Sequence, residues 1–167
     1  NYFDSFRGTD DLPPMVEGKL TGKLQDPFTE TYFVCINDKF GFLGKLDECL
    51  VNEKGEVTPV DFKTSSGDPR DKELLPAYIN QIDDYIYILS KNHLRVTEEG
   101  YLIFIYPDHS DKLHQGFPMI IHVVKLKGDP KKTEKRIEGA IKVLEGKMPK
   151  ASEDCAFCKY RELKFEE

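Results

Sequence analysis

No stretch of this 167-residue chain is apolar for anything near the roughly 18 residues that crossing a bilayer takes, so a helical membrane protein is not expected. The first residues carry no basic, apolar and small-residue regions in succession, so no signal peptide is visible. Cysteine is scarce: four residues, Cys35, Cys49, Cys155 and Cys158, too few and too unevenly spaced for a secreted disulfide scaffold. A reducing, cytoplasmic setting is expected instead. Positive charge is not in excess, because the net charge is −6, which weighs against binding nucleic acid over the whole surface. There is no internal repeat and no low-complexity segment. The chain opens on Asn1 rather than Met, from which we expect residues upstream of it.

What is present is ordinary globular composition. Hydrophobic residues make up 39% and charged residues 32%, enough for one domain with its own core. A local basic group, Lys125, Lys127, Lys131, Lys132, Lys135 and Arg136, reads first as a solvated face near a helix start and second as a phosphate-facing patch.

Residues 1–20 read as irregular, with Pro13-Pro14 and a Gly-Thr-Asp-Asp turn. A strand is expected over 31–38 from its β-branched and aromatic content, and a second and third over 42–51 and 57–64. Between the last two, Asn52 to Glu56 fits a tight hairpin with Gly55 in a left-handed conformation. A polar loop, 65–71, leads to a helix over 75–91, with Pro76 near its start and Ile79, Ile82, Ile86 and Leu89 at helical spacing. Strands follow at 101–106 and 119–126. An amphipathic helix, 133–145, carries Ile137, Ala140, Ile141 and Leu144 on one stripe and stops at Gly146. A tail, 148–167, holds Cys155 and Cys158. Antiparallel strands followed by a helical crossover imply an α/β (α+β) fold, a central mixed sheet flanked by helices.

Asp61 and Lys63 are two apart on a strand and share a face, with Val60 and Phe62 on the other. The plainest reading is a half-exposed strand whose charges face solvent. The hairpin adds a constraint. If Glu53 to Gly55 form a three-residue loop, Asn52 faces Glu56, and counting back places Asp47 opposite Asp61. Facing residues have Cβ atoms roughly 5 Å apart, and two carboxylates that close repel unless a cation lies between them. Hard divalent cations take oxygen ligands. A register error of one residue would put the pair on opposite faces. Lys63 beside such a pair could hold a scissile phosphate or the attacking water and stabilise developing charge.

In these residues the chain resembles the PD-(D/E)XK nuclease superfamily, in its RecB-like and CRISPR-associated four-cysteine exonuclease branch. Gly44-Lys45-Leu46-Asp47 is similar to the Gly-x-x-Asp strand of that family. Val60-Asp61-Phe62-Lys63-Thr64 is similar to its Asp-x-Lys strand. Gln81-Ile-Asp-Asp-Tyr85 is similar to its Gln-x-x-x-Tyr helix, and Cys155-Ala-Phe-Cys158 resembles the branch's C-terminal cysteine cluster. The resemblance spans roughly residues 31 to 162. It implies a single domain with a restriction-endonuclease-like core. It implies that Asp47, Asp61 and the Phe62 carbonyl bind Mg²⁺ or Mn²⁺, that Lys63 is catalytic, and that Gln81 and Tyr85 support the site and the nucleic-acid backbone. The implied activity is hydrolysis of DNA phosphodiester bonds, as an exonuclease, with a helicase or a recombination or repair protein as partner. The family's upstream His or acidic residue has no counterpart, since His93, His109, His114 and His122 all follow the lysine. Asp4, Asp10, Asp11 and Glu17 sit in no evident helix.

An iron–sulfur cluster needs four ligands, and the tail offers two. Cys155 and Cys158 are therefore expected either to share such a cluster or a zinc ion with upstream residues, or to be a free dithiol. Cys35 and Cys49 are expected to be buried apolar residues. His93, His109 and His114 are expected at the surface, and His122 in the core or on a sheet face. Two other readings compete with the nuclease: a nuclease-derived nucleic-acid-binding accessory module, and an unrelated α/β domain whose acids face water.

Overall fold

The computed structural model describes residues 2–108, 116 and 118–162. It is an α+β protein whose five-stranded mixed sheet is flanked by helices. The chain forms two compact units, Asn1–Lys135 and Arg136–Glu167.

In the first unit the strands are β1 (Lys23–Leu24), β2 (Thr31–Cys35), β3 (Gly41–Lys45), β4 (Glu48–Val51), β5 (Val57–Thr64), β6 (Glu99–Pro107) and β7 (Met119–Lys127). The main sheet runs β1-β4-β5-β6-β7, and only the β5–β6 pair is parallel. Helix α1 (Pro76–Lys91) makes the crossover between those two strands. Its Pro76 occupies the first turn, where a missing N–H costs nothing.

The hairpin register follows the expectation. Val51 pairs with Val57 and Glu48 with Val60, Asn52 N–H donates to the Glu56 carbonyl at 3.1 Å, and Gly55 has φ 71°. The expected strand over 42–51 is instead two strands in two sheets. At Leu46 the chain leaves the β2–β3 ribbon, its N–H held by the Glu30 carbonyl at 2.8 Å, and joins the main sheet at Glu48. The strand expected over 31–38 stops at Cys35, because the Asn37 side chain accepts the N–H groups of Lys39 and Phe40 and turns the chain.

The two faces of the main sheet are covered differently. Leu102, Phe104 and Tyr106 face α1, joined by Ile82, Tyr85, Ile86 and Leu89. The β2–β3 ribbon covers the far side of α1, with Phe42 edge-on to Tyr87 at 5.8 Å and Gly44 close enough to Ile88 that a Cβ would lie 3.0 Å from its Cδ1. Burial on both sides explains why the run Tyr85 to Leu89 is buried around the whole helix.

The opposite sheet face, with Leu50, Val60, Phe62, Tyr101 and Ile103, is covered by the N-terminal segment through Phe3, Val16 and Leu20. That segment, expected to be irregular, is mostly turns with one 3₁₀ turn at Phe3–Phe6, yet it supplies three of the eight buried residues of one core. Arg7 ties it down by pairing with the wholly buried Glu48.

Helix α2 (Pro130–Glu145) starts three residues earlier than expected, at Pro130, where the Asp129 side chain accepts the Lys131 N–H at 3.1 Å. Thr133 Oγ1 donates to Asp84 at 2.7 Å. In the second unit Leu144 is largely exposed, and the tail forms helix α3 (Ala156–Glu162). Among the described residues, no helix is long and apolar enough to cross a membrane.

Candidate active site

Strand β5 delivers the site. Beyond Val60 it has outrun its partner β4, so residues 61–64 keep β6 on one edge and leave the other open. Ser65 N–H goes to the Ile105 carbonyl, which assigns the odd-numbered residues of β5 to the β6 side. A strand residue sends its N–H and C=O to the same side. Phe62 therefore turns both toward the open edge. There its N–H is taken by Asp47 Oδ2 at 2.9 Å, and its carbonyl is directed to the same edge. Asp47 itself is exposed, on the link between β3 and β4.

Asp61 points the other way from Phe62, into the layer against α1, and is 2% exposed. Tyr85 and Gln81, one helical turn apart on α1, converge on its Oδ1: Gln81 Nε2 donates at 2.8 Å, and the Tyr85 hydroxyl lies 3.1 Å away. Asp61 Oδ2 is in ion-pair contact with Lys63 Nζ and receives no hydrogen bond of ordinary geometry. Lys63 is largely buried; its ammonium donates to Gln81 Oε1 at 2.7 Å and lies 4.9 Å from the centre of the Tyr78 ring. Gln81 thus bridges the two charges. A lysine can only donate and a carboxylate can only accept, which fixes the amide with its oxygen toward Lys63 and its nitrogen toward Asp61. The Tyr85 hydroxyl accepts a second Gln81 N–H at 2.6 Å and sits 3.1 Å from the Lys45 carbonyl, linking α1 to β3.

Burial pushes the Asp61 carboxyl above the ordinary aspartate range, and the Asp47 charge adds to this, while Lys63 opposes it. Burial also raises the Tyr85 phenol, with the Asp61 charge contributing, so it remains a neutral donor.

Asp47, Asp61, Lys63, Gln81 and Tyr85 are therefore gathered around the end of β5. The reading in which the charges of this strand merely face solvent fails for Asp61 and Lys63. Tyr78, which caps the Lys63 ammonium, escaped the sequence reading, although its spacing from Gln81 and Tyr85 places it on the same helical face.

The donor set suits a small divalent ion. Mg²⁺ keeps several waters and is held by one or two carboxylates, and Asp47, Asp61 and the Phe62 carbonyl are the oxygens that would hold it here. Among the described residues no group of three His, Cys, Asp or Glu side chains offers a fully protein-built cage.

Cys35, expected to be buried, is exposed, because it sits on the outward face of the β2–β3 ribbon, away from α1. Cys49 is buried as expected. In the second unit the Cys158 N–H donates to Cys155 Sγ at 3.2 Å, and the Cys155 thiol is held below the usual range by the Cys158 side chain first and by this N–H second. Two thiols are half of a zinc or iron–sulfur ligand set, and no third ligand joins them among the described residues. His93 is exposed, and His122 is half-buried on β7 opposite Phe104. His109 and His114 lie outside the described residues. In the basic group, Lys125 pairs with Glu99 at 2.7 Å and Lys127 with Glu98 at 3.0 Å, which neutralises part of it.

No family model matches the chain, and no curated protein matches it. Among solved structures, the crystal structure of SSO0001 is similar at 18% identity and a TM-score of 0.49, over 80% of this chain and 58% of that one. The chain thus spans less than two thirds of that protein's length. So distant a likeness bears on neither the site nor its chemistry.

Proposed function

We propose that this chain is a divalent-metal-dependent DNA nuclease of the PD-(D/E)XK type, acting as an exonuclease in a cytoplasmic repair or recombination setting with a helicase or recombination protein as partner. The observation that carries the reading is the buried Asp61–Lys63 pair held by Gln81 and Tyr85. Burying two charges is costly unless they are paired, and the layer against α1 gains no packing from them that leucine would not give. Their placement is explained by chemistry at the open edge of β5.

In this reading, Gln81 and Tyr85 occupy Asp61 Oδ1, and a cation would share Oδ2 with Lys63. Asp47 and the Phe62 carbonyl supply the other protein oxygens. A bound Mg²⁺ or Mn²⁺ would polarise the phosphoryl oxygen and acidify a bound water. Lys63, steered by Gln81 Oε1 and the Tyr78 ring, donates to the phosphate or to the attacking water and balances the charge that develops.

The raised Asp61 carboxyl gives a pH test. The carboxylate must be deprotonated to hold a cation. Affinity for Mn²⁺, measured by calorimetry, should therefore begin to fall at a pH above the ordinary aspartate value of about 3.9, and then by about tenfold per pH unit. The sign for stability is opposite. A raised pKa favours the folded state below about pH 3.9, and that contribution is lost as pH rises through the folded-state value. The metal-free protein at neutral pH bears this burial cost, so Mn²⁺ should raise Tm, and Asp61→Asn should abolish the rise. A Tm indifferent to Mn²⁺ in both proteins would count against the site.

The second reading, an accessory module that binds nucleic acid without cutting it, is favoured by the lack of a third acidic ligand among the described residues. Mn²⁺ binding without cleavage would select it.

A further inference from the structure

Cys155 and Cys158, in the second unit, take no part in the proposed cleavage. Cys-x-x-Cys spacing serves metal sites and thiol–disulfide couples alike, so the spacing alone does not separate them. The local geometry does more. Cys155 is fixed on both sides: its N–H donates to the Ser152 carbonyl at 3.0 Å, and its carbonyl accepts the Lys159 N–H at 3.0 Å. Cys158 follows one helical turn later, which brings the two side chains together. The two thiols are in hydrogen-bond contact, and the Cys158 N–H also donates to Cys155 Sγ at 3.2 Å. Both cysteines are partly exposed, and Phe157 between them is 88% exposed, so small molecules reach the pair. No third His, Cys, Asp or Glu joins them among the described residues. Cys35 and Cys49 form no such pair. Cys35 lies on the exposed face of the β2–β3 ribbon, where its thiol donates to the Asn37 carbonyl at 3.3 Å, whereas Cys49 is wholly buried in the main sheet.

We propose that Cys155 and Cys158 are a thiol–disulfide redox couple, oxidised to an intramolecular disulfide by small disulfides of the glutathione class and reduced again by the matching thiols. The couple stands whether or not the chain cuts DNA. An N–H donated to sulfur stabilises negative charge there, so Cys155 is the attacking sulfur. Its thiolate attacks one sulfur of the small disulfide, whose S–S bond breaks. A small thiolate leaves, takes up a proton, and a mixed disulfide remains on Cys155. Cys158, already in contact, then attacks Cys155 Sγ, forms the Cys155–Cys158 bond and releases the second small thiol. Two electrons pass from the protein to the small disulfide, and the two protons of the cysteine thiols end on the two thiols released. A bridge across two intervening residues closes a very short loop, so it constrains the unfolded chain little. It is an exchangeable bond rather than a structural staple. A disulfide and a metal need the same two sulfurs, so the oxidised pair holds no metal.

The test is equilibration of the protein with reduced and oxidised glutathione at stepped ratios, then alkylation of the remaining thiols and mass spectrometry of the intact chain and its peptides. Oxidised glutathione should remove two alkylation sites together, with Cys155 and Cys158 linked in one chain, and reduced glutathione should restore both. Cys158→Ser cannot complete the second step and should stop with glutathione on Cys155. The proposal is overturned if both thiols stay open to alkylation at the highest ratio of oxidised glutathione, or if Cys158→Ser takes up no glutathione at Cys155. A disulfide to Cys35 or to a second chain in place of the Cys155–Cys158 bond would also overturn it. So would a zinc or iron ion that both thiols hold and that has to be stripped before either reacts.

Discussion

Lys63→Ala should lower Mn²⁺-dependent cleavage by about 10²–10³-fold while the protein still binds the metal. The lysine accepts no cation, so removing it deletes charge stabilisation rather than a ligand. The loss should appear in kcat more than in KM, because the ammonium matters most where phosphate charge is developing. Asp61 would lose the cation that opposes its burial, so its carboxyl should move further up and the activity that remains should shift to higher pH. Lys63→Arg is not a conservative rescue. Lys63 Nζ is a compact donor wedged between Gln81 Oε1, Asp61 and the Tyr78 ring, and a guanidinium fork does not fit those three directions. Single-turnover cleavage with saturating Mn²⁺, beside calorimetric metal titration, separates these effects. A Lys63→Ala protein that cleaves like the wild type would remove the lysine from the chemistry.

The largest effect on stability is expected at Arg7. Its guanidinium makes a two-pronged contact with the buried Glu48, with Nη1 to Oε1 at 3.0 Å and Nη2 to Oε2 at 2.5 Å. It also donates to the Gln25 carbonyl at 2.8 Å and lies over the Phe28 ring at 4.7 Å. Arg7→Ala strands a carboxylate with no exposure to water and loosens the N-terminal cover of the sheet. Removing one partner of a buried pair costs about 3–5 kcal/mol. For a domain of this size that corresponds to a fall in Tm of about 6–20 °C. Changing Glu48 to Gln in the same protein should recover part of the loss, since the stranded charge is gone. Urea denaturation of the single and double variants measures both. A single variant within about 0.5 kcal/mol of the wild type would show that Arg7 contributes no more than a surface ion pair does.

The site was more legible in the sequence than the frame around it. Val60, Phe62, Asp61 and Lys63 sort onto opposite faces because strand periodicity is strict, and the register of Asn52 to Glu56 follows from loop length and the left-handed Gly55. Gln81 and Tyr85 meet because four residues make one helical turn. What failed depends on tertiary context. Apolar residues lie on both sides of Leu46, at Phe42, Leu43, Leu50 and Val51, so hydrophobic pattern alone does not mark it as the point where the chain changes sheets. Cys35 is exposed because a two-stranded ribbon has an uncovered face, and residue type does not say which face that is. Phe3, Val16 and Leu20 share no period, so their burial was not visible. Arg7 and Glu48 are 41 positions apart, and only the folded sheet brings them together.

The most direct measurement is Mn²⁺-dependent cleavage of single- and double-stranded DNA by this protein beside its Asp61→Ala variant. The account predicts cleavage by the wild type and none by the variant. Equal cleavage by both proteins, or none by either while Mn²⁺ still binds, would contradict it.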